Sequence, residues 1–135
     1  GCKFFGFSNS ARPLDYNPMK PMKFSGYGVG GSHGFLEGYK MVIPDTVIAG
    51  QDYFLSAANA HFHRKAYINT RYAFTSKDGT FESTGGMSDF RTTETEKKDY
   101  YLLKEYFGAA IQRKKTTNMR KSLQNEYERT LKIPF

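Results

Sequence analysis

The first 40 residues constrain the fold most, because they combine helix-breaking residues with large apolar rings. Pro13, Pro18 and Pro21 exclude a regular helix through this stretch and favour extended or turn geometry. Six glycines follow between positions 26 and 38. We therefore predict an extended arm over residues 1–40 that is ordered by neighbouring proteins. Its aromatic side chains are the predicted anchors in partner pockets: Phe4, Phe5, Phe7, Tyr16, Phe24, Tyr27 and Phe35.

A different apolar spacing begins after Pro44. Phe54, Ala58 and Phe62 recur every four positions, which predicts a helix near residues 46–66. From Tyr67 the apolar residues alternate instead, and the sequence SKDG at 76–79 is typical of a turn. This pattern is compatible with a small β-hairpin over 67–83, and the sequence leaves the choice between it and a longer helix open. A helix that continues to Arg71 is the alternative.

The last third is predicted to form one long basic helix over residues 93–131. The sequence TETE at 93–96 is typical of a capping box, and apolar residues at helical spacing continue to Leu131. The predicted fold class is thus mainly α with a long irregular arm. We expect an arm over 1–40 and a small helical region over 41–135, with no independent second domain.

The net charge of +7 indicates an acidic partner. Lys and Arg total 20 against 13 Asp and Glu, and such a balance suits acidic protein surfaces, anionic phospholipid or nucleic acid without choosing among them. The residues predicted to make these contacts are Arg64, Lys65, Arg71, Arg113, Lys114, Lys115, Arg120 and Lys121.

Several familiar functional classes are disfavoured. The single cysteine, Cys2, excludes an internal disulfide and a cysteine zinc site. No stretch is long and apolar enough to span a bilayer. The glycine spacing at 26–31 lacks the preceding strand and following helix of a phosphate-binding loop. Gly1 and Cys2 resemble a dual-acylation start, and whether they carry lipid is left open.

No catalytic pattern stands out either. His61 and His63 are two positions apart, so on a helix they point to different faces. We interpret them as polar partners at a subunit contact rather than as metal ligands. No nucleophile elbow is present, and the acidic residues cluster where capping explains them. The chain is predicted to be non-enzymatic, with no cofactor and no metal.

The sequence HRKAY at 63–67 resembles a segment of an accessory subunit of respiratory complex I, although the membrane spans of that family are absent here. The general type, a short basic aromatic chain, is similar to accessory subunits of mitochondrial complexes and to proteins inside axonemal microtubules. This resemblance implies a structural accessory subunit of a respiratory-chain or ATP synthase complex, associated with the mitochondrial inner membrane. The alternatives are a tubulin-binding axonemal protein and an RNA-binding component of an organellar ribosome, with nucleic acid the less favoured partner.

Overall fold

The computed structural model describes residues 2–8, 12–25, 32–74, 90–114 and 126–133. Within these ranges the chain forms two α-helices, α1 (Gln51–Phe62) and α2 (Thr93–Phe107), with short 3-10 turns at Pro13–Asp15 and Gly108–Ala110. The strands are β1 (Phe4–Ser8), β2 (Met22–Lys23), β3 (His33–Phe35), β4 (Tyr67–Ala73), β5 (Ile111–Arg113) and β6 (Arg129–Leu131).

Four of the strands form one mixed sheet in the order β2-β4-β1-β3. β1 lies in the middle, antiparallel to β3 and parallel to β4, so that Phe5 pairs with both Gly34 and Tyr67. β2 closes the other edge, antiparallel to β4. β5 and β6 form a separate antiparallel pair. The described fold is α+β, and the prediction of a mainly α fold is wrong.

The prediction of a long irregular arm over residues 1–40 is wrong. β1, β2 and β3 all lie within residues 1–40 and belong to the main sheet. Phe4 is only 1% exposed and packs with Leu55, Ala66 and Ile68 of the same chain. The N-terminal stretch was misassigned because β1 obtains its order from a strand about sixty residues later in the sequence.

The helix predicted near 46–66 exists, but it is shorter. α1 begins at Gln51 because the preceding turn is held by a tertiary contact: the backbone N–H groups of Ile48 and Ala49 donate to the buried Asp99 carboxylate of α2. α1 ends at Phe62, and Arg64 then takes a positive φ of 61° that no helix continues through.

Of the two alternatives for residues 67–83, the helix that continues to Arg71 is wrong, and only the first strand of the hairpin lies within the described residues. Residues from Tyr67 do form a strand, β4, but its neighbours in the sheet are β1 and β2. The predicted turn and return strand lie outside the described residues.

The long basic helix over 93–131 is wrong in its second half. Its start agrees closely, since Thr92 caps α2 and forms a capping box with Thr95. The helix stops at Phe107, because Gly108 adopts a positive φ of 54° and Ile111 then enters a strand paired with Leu131. Ile111 and Leu131 have a spacing compatible with a helix, but they lie in two short paired strands.

The core has two parts, and α1 lies between them. On one side Phe54 and Ala58 pack with Leu103 of α2, with Ile111 of β5 and with Tyr127. On the other side Leu55 packs under the main sheet. Burying these side chains is the dominant stabilising term, about 25 cal/mol for each Å² removed from water.

A buried ion network joins α2 to β6. Glu96 is 4% exposed and accepts hydrogen bonds from Arg91, at 2.5 Å, and from Arg129. Arg129 also donates to the Glu96 carbonyl at 3.3 Å, and its own carbonyl accepts from the Tyr53 hydroxyl at 2.9 Å. Because both charges are buried, removing one partner would leave the other without compensation.

Candidate interaction surface

The two faces of the main sheet have different environments. Phe4 and Gly6 of β1 and Ile68 of β4 are buried towards α1, and a Cβ atom placed on Gly6 would lie 3.4 Å from the Ile68 Cδ1 atom. Successive residues of a strand point to opposite faces. Phe5 and Phe7 therefore lie on the face turned away from α1, and both are half-buried.

Phe5 occupies the middle of this second face. A Cβ atom on Gly34 of β3 would lie 2.4 Å from the Phe5 Cζ atom, so the ring covers the strand at the one position that has no side chain. On its other flank Phe5 pairs with Tyr67 of β4. Residues directly opposite on neighbouring strands share a face, and the two rings are therefore neighbours.

One end of the face is formed by Met22, Phe24 and Tyr67. The Phe24 and Tyr67 rings meet edge to face with their centroids 6.2 Å apart, and the Tyr67 hydroxyl lies 3.1 Å from the Met22 sulfur. The Phe24 carbonyl accepts from the Ala66 N–H at 2.9 Å, which ties this corner to the start of β4. Phe24 remains 58% exposed.

The other end is formed by Phe7, Tyr72 and Phe74. The Phe7 ring lies 5.4 Å from that of Phe74 and 6.3 Å from that of Tyr72, both in edge-to-face geometry. The pairing of β1 with β4 shifts between Phe7 and Ser8, and this irregularity brings the end of β4 beside Phe7. Tyr72 and Phe74 are 62% and 64% exposed.

We call these residues together the outer aromatic face. Its members are Phe5, Phe7, Met22, Phe24, Tyr67, Tyr72 and Phe74. A contiguous group of exposed rings is uncommon on a monomeric protein and marks a site of interaction.

Positive charge accompanies this surface. Lys65 lies two positions before Tyr67, and Arg71 lies near the other end of β4, whereas Lys23 pairs with Ile68 and therefore lies on the face turned towards α1. β1, β2 and β4 contain no Asp or Glu. Among the described residues, the ion pairs are made by Arg91, Lys114 and Arg129 rather than by these three cations.

The structure brings three of the predicted anchors together, namely Phe5, Phe7 and Phe24. Phe4 faces the core instead. Phe35 stacks on Tyr39, with centroids 4.4 Å apart, at the end of β3. Tyr16 lies apart from the face, after the first 3-10 turn, and is 39% exposed. Tyr27 is outside the described residues.

The predicted basic residues are more dispersed. Lys65 and Arg71 accompany the outer aromatic face, whereas Arg64 follows α1. Lys114 pairs with Glu128 at 2.6 Å. Lys115, Arg120 and Lys121 lie outside the described residues.

Arg113 is held by aromatic rings. Its guanidinium lies 4.9 Å from the Tyr127 centroid and 5.4 Å from that of Tyr100. Burial acts to lower the pKa of Arg113, but its interactions with the Tyr100 and Tyr101 hydroxyls together outweigh burial and raise it. Arg113 therefore stabilises the β5–β6 end of the fold and is already engaged there.

Sequence reasoning missed Met22, Tyr67, Tyr72 and Phe74 as members of one surface. The alternation from Tyr67 to Phe74 did indicate a strand. The alternation could not show which face is buried. Ile68 and Tyr72 stand at even positions and Tyr67 and Ala73 at odd positions, so both sets contain apolar residues. The interaction surface becomes visible only once β1 is placed beside β4.

No group of three or more His, Cys, Asp or Glu side chains in the described residues could hold a metal ion. Neither described helix combines the length and hydropathy needed to cross a bilayer. Comparison with protein-family models, with curated proteins and with solved structures finds no significant match to this chain.

Proposed function

We propose that this protein is a non-catalytic structural subunit that docks through its outer aromatic face onto an acidic protein surface of a large assembly. The observation that supports this proposal is the continuity of exposed rings from Phe24 to Phe74 across β1, β2 and β4. Aromatic rings buried at the centre of an interface contribute most of its binding energy. The face offers six aromatic rings and Met22 beside positive charge.

The charge pattern favours an acidic partner. Lys65 and Arg71 stand near the rings, and the three strands that carry the face have no acidic residue. Cations at the rim of an interface speed association with an acidic surface and reject basic ones. A mitochondrial respiratory-chain or ATP synthase complex is the assembly we propose first, and an axonemal microtubule, whose tubulin surface is acidic, is the second.

Site-specific photocrosslinking tests this proposal. A benzophenone amino acid would replace Phe24 or Tyr72, at opposite ends of the face, in the chain expressed in its own cells. Tyr101 is the matched control, since it is 52% exposed on α2. We expect positions 24 and 72 to crosslink to the same subunit or to adjacent subunits of one assembly, and position 101 to give a different pattern or none. Equal patterns from all three positions would contradict the proposal.

A second candidate function is binding of single-stranded RNA. Phe5 and Tyr67 lie side by side on the two central strands of a four-stranded sheet, an arrangement on which RNA-binding sheets stack bases. Each stacked base contributes about 1–3 kcal/mol. Fluorescence anisotropy with a ten-nucleotide oligouridylate would test it. RNA binding predicts an affinity that falls steeply with salt and is lost in Tyr67→Ala, whereas protein docking predicts no such affinity.

A further inference from the structure

A cleft of about 300 Å³ lies on the opposite side of α1 from α1's contact with the main sheet. It is formed where the end of α1 meets the end of α2 and the residues after β6. Its floor is made of small side chains, Ala57, Ala60 and Ala110. Tyr106, Phe107 and Leu131 supply apolar walls. A cleft of this shape accepts one large apolar side chain.

The ionisable groups of the cleft, apart from the Tyr106 hydroxyl, are all basic. His61, Arg64 and Lys132 line it, and no acidic residue is found among its described lining residues. His61 and Lys132 are exposed at the surface. The cleft therefore combines an apolar interior with a positive rim, which is complementary to an apolar group flanked by carboxylates.

Besides its apolar interior and positive rim, the cleft has a small gap next to it. A gap of about 10 Å³, the volume of one water molecule, opens beside Asn59 and shares Ala60, Arg64 and Ile133 with the cleft lining. Asn59 is 3% exposed, and its side-chain N–H donates to the Lys65 carbonyl at 3.1 Å. Its carbonyl oxygen has no donor within the described residues. An unpaired acceptor in a buried position is unfavourable, and a donor placed in the gap would complete it.

We propose that the cleft binds an acidic peptide segment of a partner protein. One aromatic or aliphatic side chain of the segment inserts over Ala57 and Ala60. Its neighbouring carboxylates meet His61, Arg64 and Lys132, and a peptide N–H reaches Asn59 through one water molecule in the gap. This inference rests on the proposed docking function and assigns a second contact to it, on the other side of α1.

A peptide fits these observations better than a lipid carboxylate. The volume is at the lower limit of pockets that enclose a whole small molecule, about 300–1,000 Å³, and suits one side chain of a longer ligand. A fatty acid also brings no N–H donor for Asn59. A peptide supplies the apolar group, the carboxylates and the donor in a single segment.

The test is an NMR titration of the full ¹⁵N-labelled chain. The probe is an acetylated, amidated six-residue peptide in which a phenylalanine-leucine pair is flanked on each side by two glutamates. We expect saturable amide shifts at Ala57, Ala60, His61 and Leu131. The outer aromatic face should remain unshifted. A peptide with lysine in place of every glutamate should bind at least tenfold more weakly.

Charge reversal on the protein provides the matched comparison. Lys132→Glu changes an exposed rim residue, and we expect it to weaken the acidic peptide about fivefold, in line with an exposed ion pair of about 1 kcal/mol. Lys98→Glu makes the same charge change on an exposed position of α2 that does not line the cleft. It should leave the affinity within twofold.

Four outcomes would overturn the inference: no shift at millimolar peptide, shifts outside the cleft, equal binding of the lysine peptide, or tighter binding of sodium decanoate at the same residues. The last would assign the site to a lipid carboxylate. Failure here combined with common crosslinks from positions 24 and 72 would remove the cleft and leave the docking function standing. Peptide binding without those crosslinks would remove the docking function of the outer aromatic face and leave the cleft as a peptide site.

Discussion

The two faces of the main sheet differ in what they provide, and Phe4 and Phe5 show the difference at adjacent positions. Phe4 is 1% exposed and packs with Leu55, Ala66 and Ile68. Phe5 lies on the opposite face, across Gly34, in a half-buried position. Residue type cannot distinguish these two rings. The comparison teaches that side chains on one side of β1 stabilise the fold, while those on the other side are available for binding. Substitutions on the two sides should therefore affect stability and binding separately.

The largest expected effect is on the inner face. Phe4→Ala removes a fully buried ring whose neighbours cannot close the space, and we expect the free energy of unfolding to fall by about 3–5 kcal/mol. Urea denaturation followed by circular dichroism measures this change.

The matched control is Phe5→Ala, for which we expect a loss of about 1 kcal/mol, because water already reaches part of that ring. Equal losses for the two variants would show that the faces do not differ in the way proposed.

Glycine substitutions sharpen the same comparison. A Cβ atom on Gly50 would lie 2.8 Å from the Leu103 Cδ1 atom. Leu103 is completely buried, so Gly50→Ala should cost about 1–3 kcal/mol in thermal or urea unfolding.

Gly34→Ala gives a closer clash, with the tip of the Phe5 ring, but that ring can rotate towards solvent. We expect a cost below about 1 kcal/mol. A larger cost for Gly34→Ala than for Gly50→Ala would indicate that the outer face is as tightly packed as the core.

A substitution at Tyr39 is expected to have a smaller effect on stability, because it changes a single hydroxyl group. Its half-buried ring stacks on His63 with centroids 5.5 Å apart, and its hydroxyl has no hydrogen-bond partner among the described residues. Tyr39→Phe removes this hydroxyl, and we expect it to raise the free energy of unfolding by about 1 kcal/mol at neutral pH.

The same variant has a signature at high pH. Burial raises the pKa of Tyr39 to about 12, above the value of about 10 in the unfolded chain. Because the folded protein holds this proton more tightly, the resulting stability is complete below pH 10 and is lost as the pH rises towards 12. Urea midpoints of the wild type should therefore fall more steeply over this interval than those of Tyr39→Phe. Parallel curves would contradict the assignment.

The smallest effect on stability is expected on the outer aromatic face. Phe24→Ser and Tyr72→Ser alter exposed side chains, and each should change the free energy of unfolding by no more than about 0.5 kcal/mol. Incorporation into the assembly, measured by co-sedimentation from native extract, should nevertheless be lost in the double variant. Normal incorporation would exclude this face as the docking surface.

The sequence predicted the helices better than the sheet. The spacing of Phe54, Ala58 and Phe62 located α1, and the acidic start after Thr92 located α2, because both signals are local. The first residues of the predicted helix near 46–66 were wrong, since the turn at Ile48 and Ala49 is held by Asp99, which is about fifty residues away. No local pattern contains that contact.

The sheet was missed for a related reason. β1 carries aromatic residues on both faces, so it lacks the alternation that identifies a strand with one buried side. Its central partner is β4, and the pairing of Phe5 with Tyr67 is set by tertiary structure. Individual members of the candidate surface, such as Phe7 and Phe24, were predictable as anchors. Their assembly with Tyr72 and Phe74 into one face was not.

The parallel pairing of β1 with β4 also bears on how the protein is made. About sixty residues separate the two strands, so at about 5–20 residues per second the ribosome needs about 3–12 s to deliver β4 after β1. Throughout that interval the nascent chain carries three phenylalanines within one short strand and no central partner for them. A chaperone that holds apolar segments near the exit tunnel would meet this strand before its partner β4 is available.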